Sequence, residues 1–170
     1  MIMQRLFLLV SKILPTQIAY GHCDIPCGIY DPHNAQMAAH TVIRMTNLIR
    51  DLKIDQNASI EERKKFIHAL SRYTKVKEEH AEIVKHEIRV LWGDYFKDEH
   101  LNKYPELHDL VFKTMKLASK ARQEVNIDAA NNLLETVQEI AEIFWKTKSI
   151  KSTKINAPYP SGGTIIIPKQ

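Results

Sequence analysis

The sequence predicts an all-α protein, and three observations carry the prediction. The chain has 170 residues with only five glycines and seven prolines, while the good helix formers Leu, Ile, Ala, Lys and Glu abound. Its apolar residues recur at spacings of three and four in four successive stretches, the period of a helix with one buried face. The connections between those stretches are short. Four amphipathic helices joined in this way pack by default as an antiparallel up-down four-helix bundle. The length suits one domain with a sizeable core.

The first helix opens at Asp31-Pro32, an Asp cap followed by a proline whose missing N–H is not needed there. Ala38, Val42, Met45, Ile49 and Leu52 then form one stripe, predicting a helix over 34–53. Asp55-Gln56-Asn57 breaks it. Ser59 and Glu62 have capping-box spacing and open the second helix. Its stripe runs Phe66, Leu70, Tyr73, Val84, Ile88 and Leu91, interrupted by His80, and Gly93 with Lys97-Asp98-Glu99 marks its end. Pro105 opens a third helix carrying Leu107, Leu110, Val111, Leu117, Ala118 and Ala121. Asn126 caps a fourth, with Ile127, Ala130, Leu134, Val137, Ala141 and Phe144 inward. The periodicity stops after Ser149. Residues 150–170 therefore read as a flexible C-terminal tail, with Pro158–Gly163 a linker and Thr164–Ile167 a short apolar tag.

Charge is unevenly placed. The chain carries +4 overall, but residues 1–21 hold two bases and no acid, and residues 146–170 hold five lysines and no acid. Between His22 and Trp145 there are 17 bases and 20 acids, which argues against a nucleic-acid partner, since such binders carry a basic stripe on the folded body. Two cysteines are too few for a disulfide framework. Met1–Gly21 has a positive start, a short apolar run at Leu6–Val10 and small residues at Ala19 and Gly21, a partial secretory signature. The run is too short to span a bilayer, which takes about 20 apolar residues.

Both cysteines lie in His22-Cys23-Asp24-Ile25-Pro26-Cys27-Gly28-Ile29-Tyr30-Asp31-Pro32. Two thiolates and an imidazole within six residues can converge on one metal ion. A small-loop disulfide or two idle thiols is the plainer alternative. The whole run resembles the amino-terminal hook of the nickel superoxide dismutase family, which reads His-Cys-Asp-x-Pro-Cys-Gly-x-Tyr-Asp-Pro. Val90–Lys97, Lys103–His108 and Ile143–Trp145 resemble later segments of the same family, in order, so that the likeness covers about residues 22–148.

The resemblance implies a superoxide dismutase that converts superoxide to O2 and H2O2 by Ni(II)/Ni(III) cycling, with one nickel ion per subunit. It implies His22, Cys23 and Cys27 as the metal ligands and a leader, residues 1–21, removed by a peptidase so that His22 becomes the first residue. The implied organisation is a leader 1–21, a domain 22–149 with its hook at 22–30 and bundle at 31–149, and the tail 150–170. Maturation in the cytoplasm ranks ahead of export, and a homohexamer is implied. Tyr30 and Tyr95 match tyrosines that flank substrate access, Asp24 the acid of the hook, and Lys97 a lysine that attracts superoxide. The chain departs from the family at Ala38 and His80, where some members have a glutamate and an arginine that hold the axial histidine; either His80 supports the His22 imidazole instead, directly or through water, or it is a helix histidine tucked at a subunit boundary.

The donor types agree with that reading. An N-terminal amine, an amide nitrogen and two thiolates suit planar Ni(II), and soft anionic donors lower its potential. Structural zinc usually recruits four side chains, whereas the run offers three. A nickel or copper carrier without turnover would use the same donors, and a helical interaction protein with a disulfide-closed arm would use none.

Overall fold

The computed structural model describes residues 28–169. The leader and most of the hook, including His22, Cys23, Asp24 and Cys27, lie outside the described residues. Five α-helices account for most of the chain: α1 His33–Asp51, α2 Ile60–Val90, α3 Asp98–Lys103, α4 Leu107–Gln123 and α5 Ile127–Thr147. Each of the four long helices packs on two of the others, α1 on α2 and α5, and α4 on α5 and α2.

The helix boundaries follow local chemistry. Asp31 Oδ1 accepts from the His33 amide at 2.7 Å, satisfying one of the open N–H groups of α1. Ser59 Oγ accepts from the Glu62 amide at 3.3 Å, and Glu62 Oε2 accepts from the Ser59 amide at 2.7 Å, completing the expected capping box. Asn126 Oδ1 accepts from Ala129 N–H at the start of α5. The C-terminus of α4 is capped from outside: Lys77, 2% exposed, donates to the carbonyls of Ala121, Arg122 and Glu124 at 2.6–2.8 Å. Three charge-assisted bonds use all three ammonium hydrogens, and burial lowers the pKa of the amine.

The apolar stripes become the core. Ala35, Ala38, Ala39 and Val42 on α1 meet Ala81, Val84 and Ile88 on α2, and α5 contributes Leu133, Val137, Ile140, Ala141 and Phe144. Small residues on α1 let the neighbouring helices approach closely. Further up α2 the stripe is less covered, and Ile60 and Ile67 are exposed.

The second helix ends between Gly93 and Lys97, as expected, through a π-helical turn, Leu91–Tyr95, closed by the Phe96 amide donating to the Leu91 carbonyl at 2.9 Å. Two expectations need correction. A short helix, α3, follows where a connection was expected. The largest difference is residues 150–170. They form an antiparallel hairpin, β1 Ser152–Asn156 with β2 Thr164–Pro168, so the fold is mainly helical with a two-stranded addition and the segment is not a loose tail.

Buried polar groups hold that hairpin to the helices. Gln36, fully buried on α1, donates from Nε2 to the Ile166 carbonyl at 3.0 Å and accepts from the Ile166 amide at 2.8 Å. Its side chain thus pairs with β2 as a neighbouring strand would. One turn on, His40 Nε2 donates to the Thr164 carbonyl at 3.0 Å, and Gln138 Nε2 from α5 donates to the same oxygen. Ile165 and Ile166 are buried. Gly163, at φ +77, passes with no side chain beside Leu134 and His40.

Candidate metal centre and its surroundings

The described chain begins at Gly28, directly after Cys27. Gly28 has φ +86, a left-handed conformation that glycine adopts without strain, so that the residue leaving the Cys23–Cys27 loop is one that permits a sharp exit. Ile29 is exposed and Tyr30 turns in against the body. A cleft of about 400 Å3 opens at this point, with Ile29, Tyr30 and Asn34 on one side and His86, Glu87 and Val90 of α2 on the other.

The Tyr30 ring meets the Tyr95 ring at 5.4 Å between centroids, tilted by 52°. The π-helical turn is what brings Tyr95 there. By running i to i+5 at its end, α2 rotates Tyr95 and Phe96 toward the core, and such turns recur at functional sites. Tyr95 then packs on Phe144 at 4.7 Å, on Phe96 at 5.2 Å and parallel to His100 at 5.6 Å. The segments around Tyr95, His108 and Phe144 therefore converge: Trp92 and His108 also meet, at 5.4 Å.

The proton on Tyr95 can be placed from its neighbours. Thr147 Oγ1 donates its single hydrogen to the Phe144 carbonyl at 2.6 Å, so that in its 2.6 Å bond with Tyr95 it accepts. Tyr95 is the donor, and its lone pairs face away from Thr147. Lys148 Nζ lies 5.5 Å from the centre of the same ring and 5.1 Å from that of Phe144.

The remaining candidates are more dispersed. Lys97 is exposed at the start of α3, where its amide donates to His100 Nδ1 at 3.1 Å. His80 is half-buried in the middle of α2 and donates from Nδ1 to the Val76 carbonyl at 2.9 Å, which leaves Nε2 as the acceptor nitrogen. Seven residues separate it from Glu87 in the cleft, about 10 Å of helix. Ala38 is buried in the core. The structure thus brings Tyr30 and Tyr95 together. The hook residues that His80 and Lys97 would have to meet lie outside those described.

Two participants were not singled out in the sequence. His100 stacks on Tyr95 and tethers Lys97. Its position three residues after Lys97 is the one signal that foreshadows the tether. Thr147 carries no signal at all, because its partner is 52 residues away.

Among the described residues no three His, Cys, Asp or Glu side chains gather as a metal-binding group. The donor set to weigh is therefore His22, Cys23 and Cys27, and its chemistry fits nickel: an imidazole and two thiolates, with backbone nitrogen available between them. The exposed path from Gly28 to Tyr30 leads from that set to the tyrosine pair.

Comparison with known proteins follows the same line. The nickel-containing superoxide dismutase family matches residues 17–148. The superoxide dismutase [Ni] of Streptomyces coelicolor is 37% identical over 141 residues, which is 82% of this chain and 98% of the relative. That of Streptomyces seoulensis is 38% identical over the same shares. The native 1.30 Å structure of a nickel superoxide dismutase aligns with a TM-score of 0.63 at 38% identity, covering 75% of this chain and 99% of that one. The hairpin lies beyond the family match. This chain belongs to the nickel-containing superoxide dismutase family.

Proposed function

We propose that the protein is a nickel-dependent superoxide dismutase whose site is formed by the hook His22–Cys27 seated against Tyr30 and Tyr95. Family membership supports the activity, and the Tyr30–Tyr95 pair where the hook joins the body is the observation that carries the seating. His22, through its amine and imidazole, Cys23, through sulfur and amide nitrogen, and Cys27, through sulfur, would hold the metal. Bound nickel supplies the one-electron couple that superoxide dismutation needs.

The chain's own residues do the rest. Anionic sulfur donors make that couple accessible by pushing electron density toward the metal. The rings of Tyr95, Phe96 and Phe144 close the inner side of the site to water. Producing H2O2 requires two protons, and Tyr95 has its own directed at Thr147, so its hydroxyl orders the entrance and is not their source. Tyr30 and Asp24 would handle protons nearer the hook. Lys97 and Lys148 contribute positive charge that draws in an anionic substrate.

Several finer features belong to the same proposal. The four long helices make an antiparallel bundle. Residues 1–21 are a leader cut before His22 in the cytoplasm, and the mature chain assembles as a homohexamer. His80, whose Nδ1 is bonded to the Val76 carbonyl, would support the His22 imidazole through Nε2 where some members use an acid and a base.

The decisive experiment is intact mass, metal content and superoxide consumption measured on protein purified from its own host. The expected result is a chain starting at His22 with one nickel per subunit and catalytic turnover. Nickel without turnover would favour a carrier. Full activity in a chain still starting at Met1 would overturn the N-terminal amine as a ligand.

A further inference from the structure

The hairpin creates a second, separate feature. Where it joins α5, a cleft of about 540 Å3 is lined by Lys146, Lys151, Lys169, Ser149, Ser152 and Tyr104 among others, with no acidic residue in the lining. None of the three lysines forms an ion pair among the described residues.

Two of those lysines face each other. The strand register that pairs Ser152 with Pro168 places Lys151 opposite Lys169, and the Lys169 amide donates to the Lys151 carbonyl at 2.7 Å. Like charges directly opposite on a ladder destabilise it. Lys146 adds a third positive charge from the last turn of α5. The C-terminal dipole of that helix accounts for Lys146 alone; it does not account for the facing pair.

Backbone strain points to the same place. The end of α5 closes with the Ile150 amide donating to the Trp145 carbonyl at 3.0 Å and the Ser149 amide to the Lys146 carbonyl at 3.1 Å. That pattern puts a left-handed residue at position 149, where glycine is the unstrained choice. The chain has serine there, at φ 58, its one non-glycine residue with positive φ among those described. A strained serine whose residue lines a cleft is a reason to look for a ligand.

We propose that this cleft is an oxyanion site for a phosphate-class dianion, held between Lys151 and Lys169 with Lys146 behind and the hydroxyls of Ser149 and Ser152 donating. Three cations without an acid suit a ligand with two negative charges better than a monoanion. The site is independent of the nickel centre, and it lies largely in the part of the chain beyond the family match. Its source is either free phosphate or a phosphomonoester, which share that chemistry.

The test uses the full chain at constant ionic strength, titrated with inorganic phosphate and, in parallel, with glycerol phosphate, while sodium chloride serves as control. Backbone amide shifts should saturate and concentrate at Ser149–Thr153 and Lys169. Whichever probe binds tighter identifies the source. Lys151→Gln with Lys169→Gln should weaken binding by about tenfold or more, whereas Lys113→Gln with Lys120→Gln, the same charge change on α4, should not. Without phosphate, Lys169→Gln should raise the melting temperature by removing the like-charge pair, and saturating phosphate should reverse that order. Shifts spread over lysines across the surface, or a double variant that titrates like wild type, would overturn the proposal.

Discussion

Tyr95 donates its hydroxyl proton to Thr147, 52 residues further along the chain, at 2.6 Å. Thr147 in turn donates to the Phe144 carbonyl. A short relay therefore runs from the tyrosine at the hook's entrance into the last turn of α5, and its direction sets what Tyr95 does.

A residue that directs its proton into the fold is not the general acid of the reaction. Tyr95→Phe should keep the ring contacts with Tyr30, Phe144 and His100 and lose about 1 kcal/mol of stability with the hydrogen bond. Its kcat/KM for superoxide should fall by less than about tenfold, well short of the 100-fold or greater loss typical of a removed general acid. Steady-state rates and a urea titration of the variant check both halves. A loss of 100-fold or more would reassign the proton.

The hook tests the other side of that entrance. One alanine inserted before His22 in the matured chain converts the terminal amine to an amide, and should abolish nickel retention while leaving the helical circular dichroism and melting temperature unchanged. Cys23→Ser or Cys27→Ser should do the same, because a hydroxyl is a hard and weak donor. Metal analysis after dialysis, together with melting curves, separates loss of the site from loss of the fold. Excess peroxide should also inactivate the protein by oxidising these sulfurs.

His80 is predicted to act through the hook histidine. With Nδ1 committed to Val76, Nε2 is the atom that can accept. His80→Ala should leave nickel bound and lower turnover by about 10–100-fold, the usual effect of removing a group that orients a ligand. The spectrum of the bound metal should shift as well, a change that mere repacking of α2 would not produce. Wild-type turnover and spectrum across pH 6–9 would make His80 a packing residue.

The docking of the hairpin rests on side chains. Gln36→Leu fits the space but leaves both the N–H and the C=O of Ile166 buried and unpaired, which should cost about 2–4 kcal/mol. Hydrogen exchange locates the effect: the Ile166 amide should lose protection, while amides in the middle of α2 keep theirs. If Ile166 stays protected, the strand is held by Ile165 and Ile166 packing alone.

How much of this was legible depended on the range of the interactions. The stripes of α1, α4 and α5, and the caps at Ser59 and Asn126, are local, and they read directly from spacing. The π-helical turn at Leu91–Tyr95 is not, since ending i to i+5 is favoured by seating Tyr95 on Phe144 of α5 and burying Phe96. The hairpin had local cues, β-branched runs on either side of Tyr159-Pro160-Ser161-Gly162-Gly163. What makes it a fixed element is Gln36, His40 and Gln138, and two of these lie more than 100 residues away. A polar residue on an apolar stripe reads as an interruption until its partner is known. The metal ligands were legible as a contiguous motif, whereas His100 and Thr147 became visible only in the folded chain.

His40 makes the hairpin sensitive to pH. Its Nε2 donates to the Thr164 carbonyl at 3.0 Å, so Nδ1 is the nitrogen that accepts from Ser161 at 2.9 Å when the ring is neutral, and the Tyr159 edge covers the ring. Burial lowers its pKa below the usual value, outweighing the Thr164 bond that raises it. Between the lowered folded pKa and the unfolded value of about 6.5, the unfolded chain binds more protons, so stability rises with pH in that window. The contribution is complete above about pH 7, begins to be lost as pH falls through 6.5, and is gone below the folded pKa. Melting temperatures from pH 8 to pH 5 should therefore fall more steeply for wild type than for His40→Gln, whose amide can keep a donor toward Thr164 without titrating. Parallel pH profiles for the two proteins would place the acid sensitivity elsewhere.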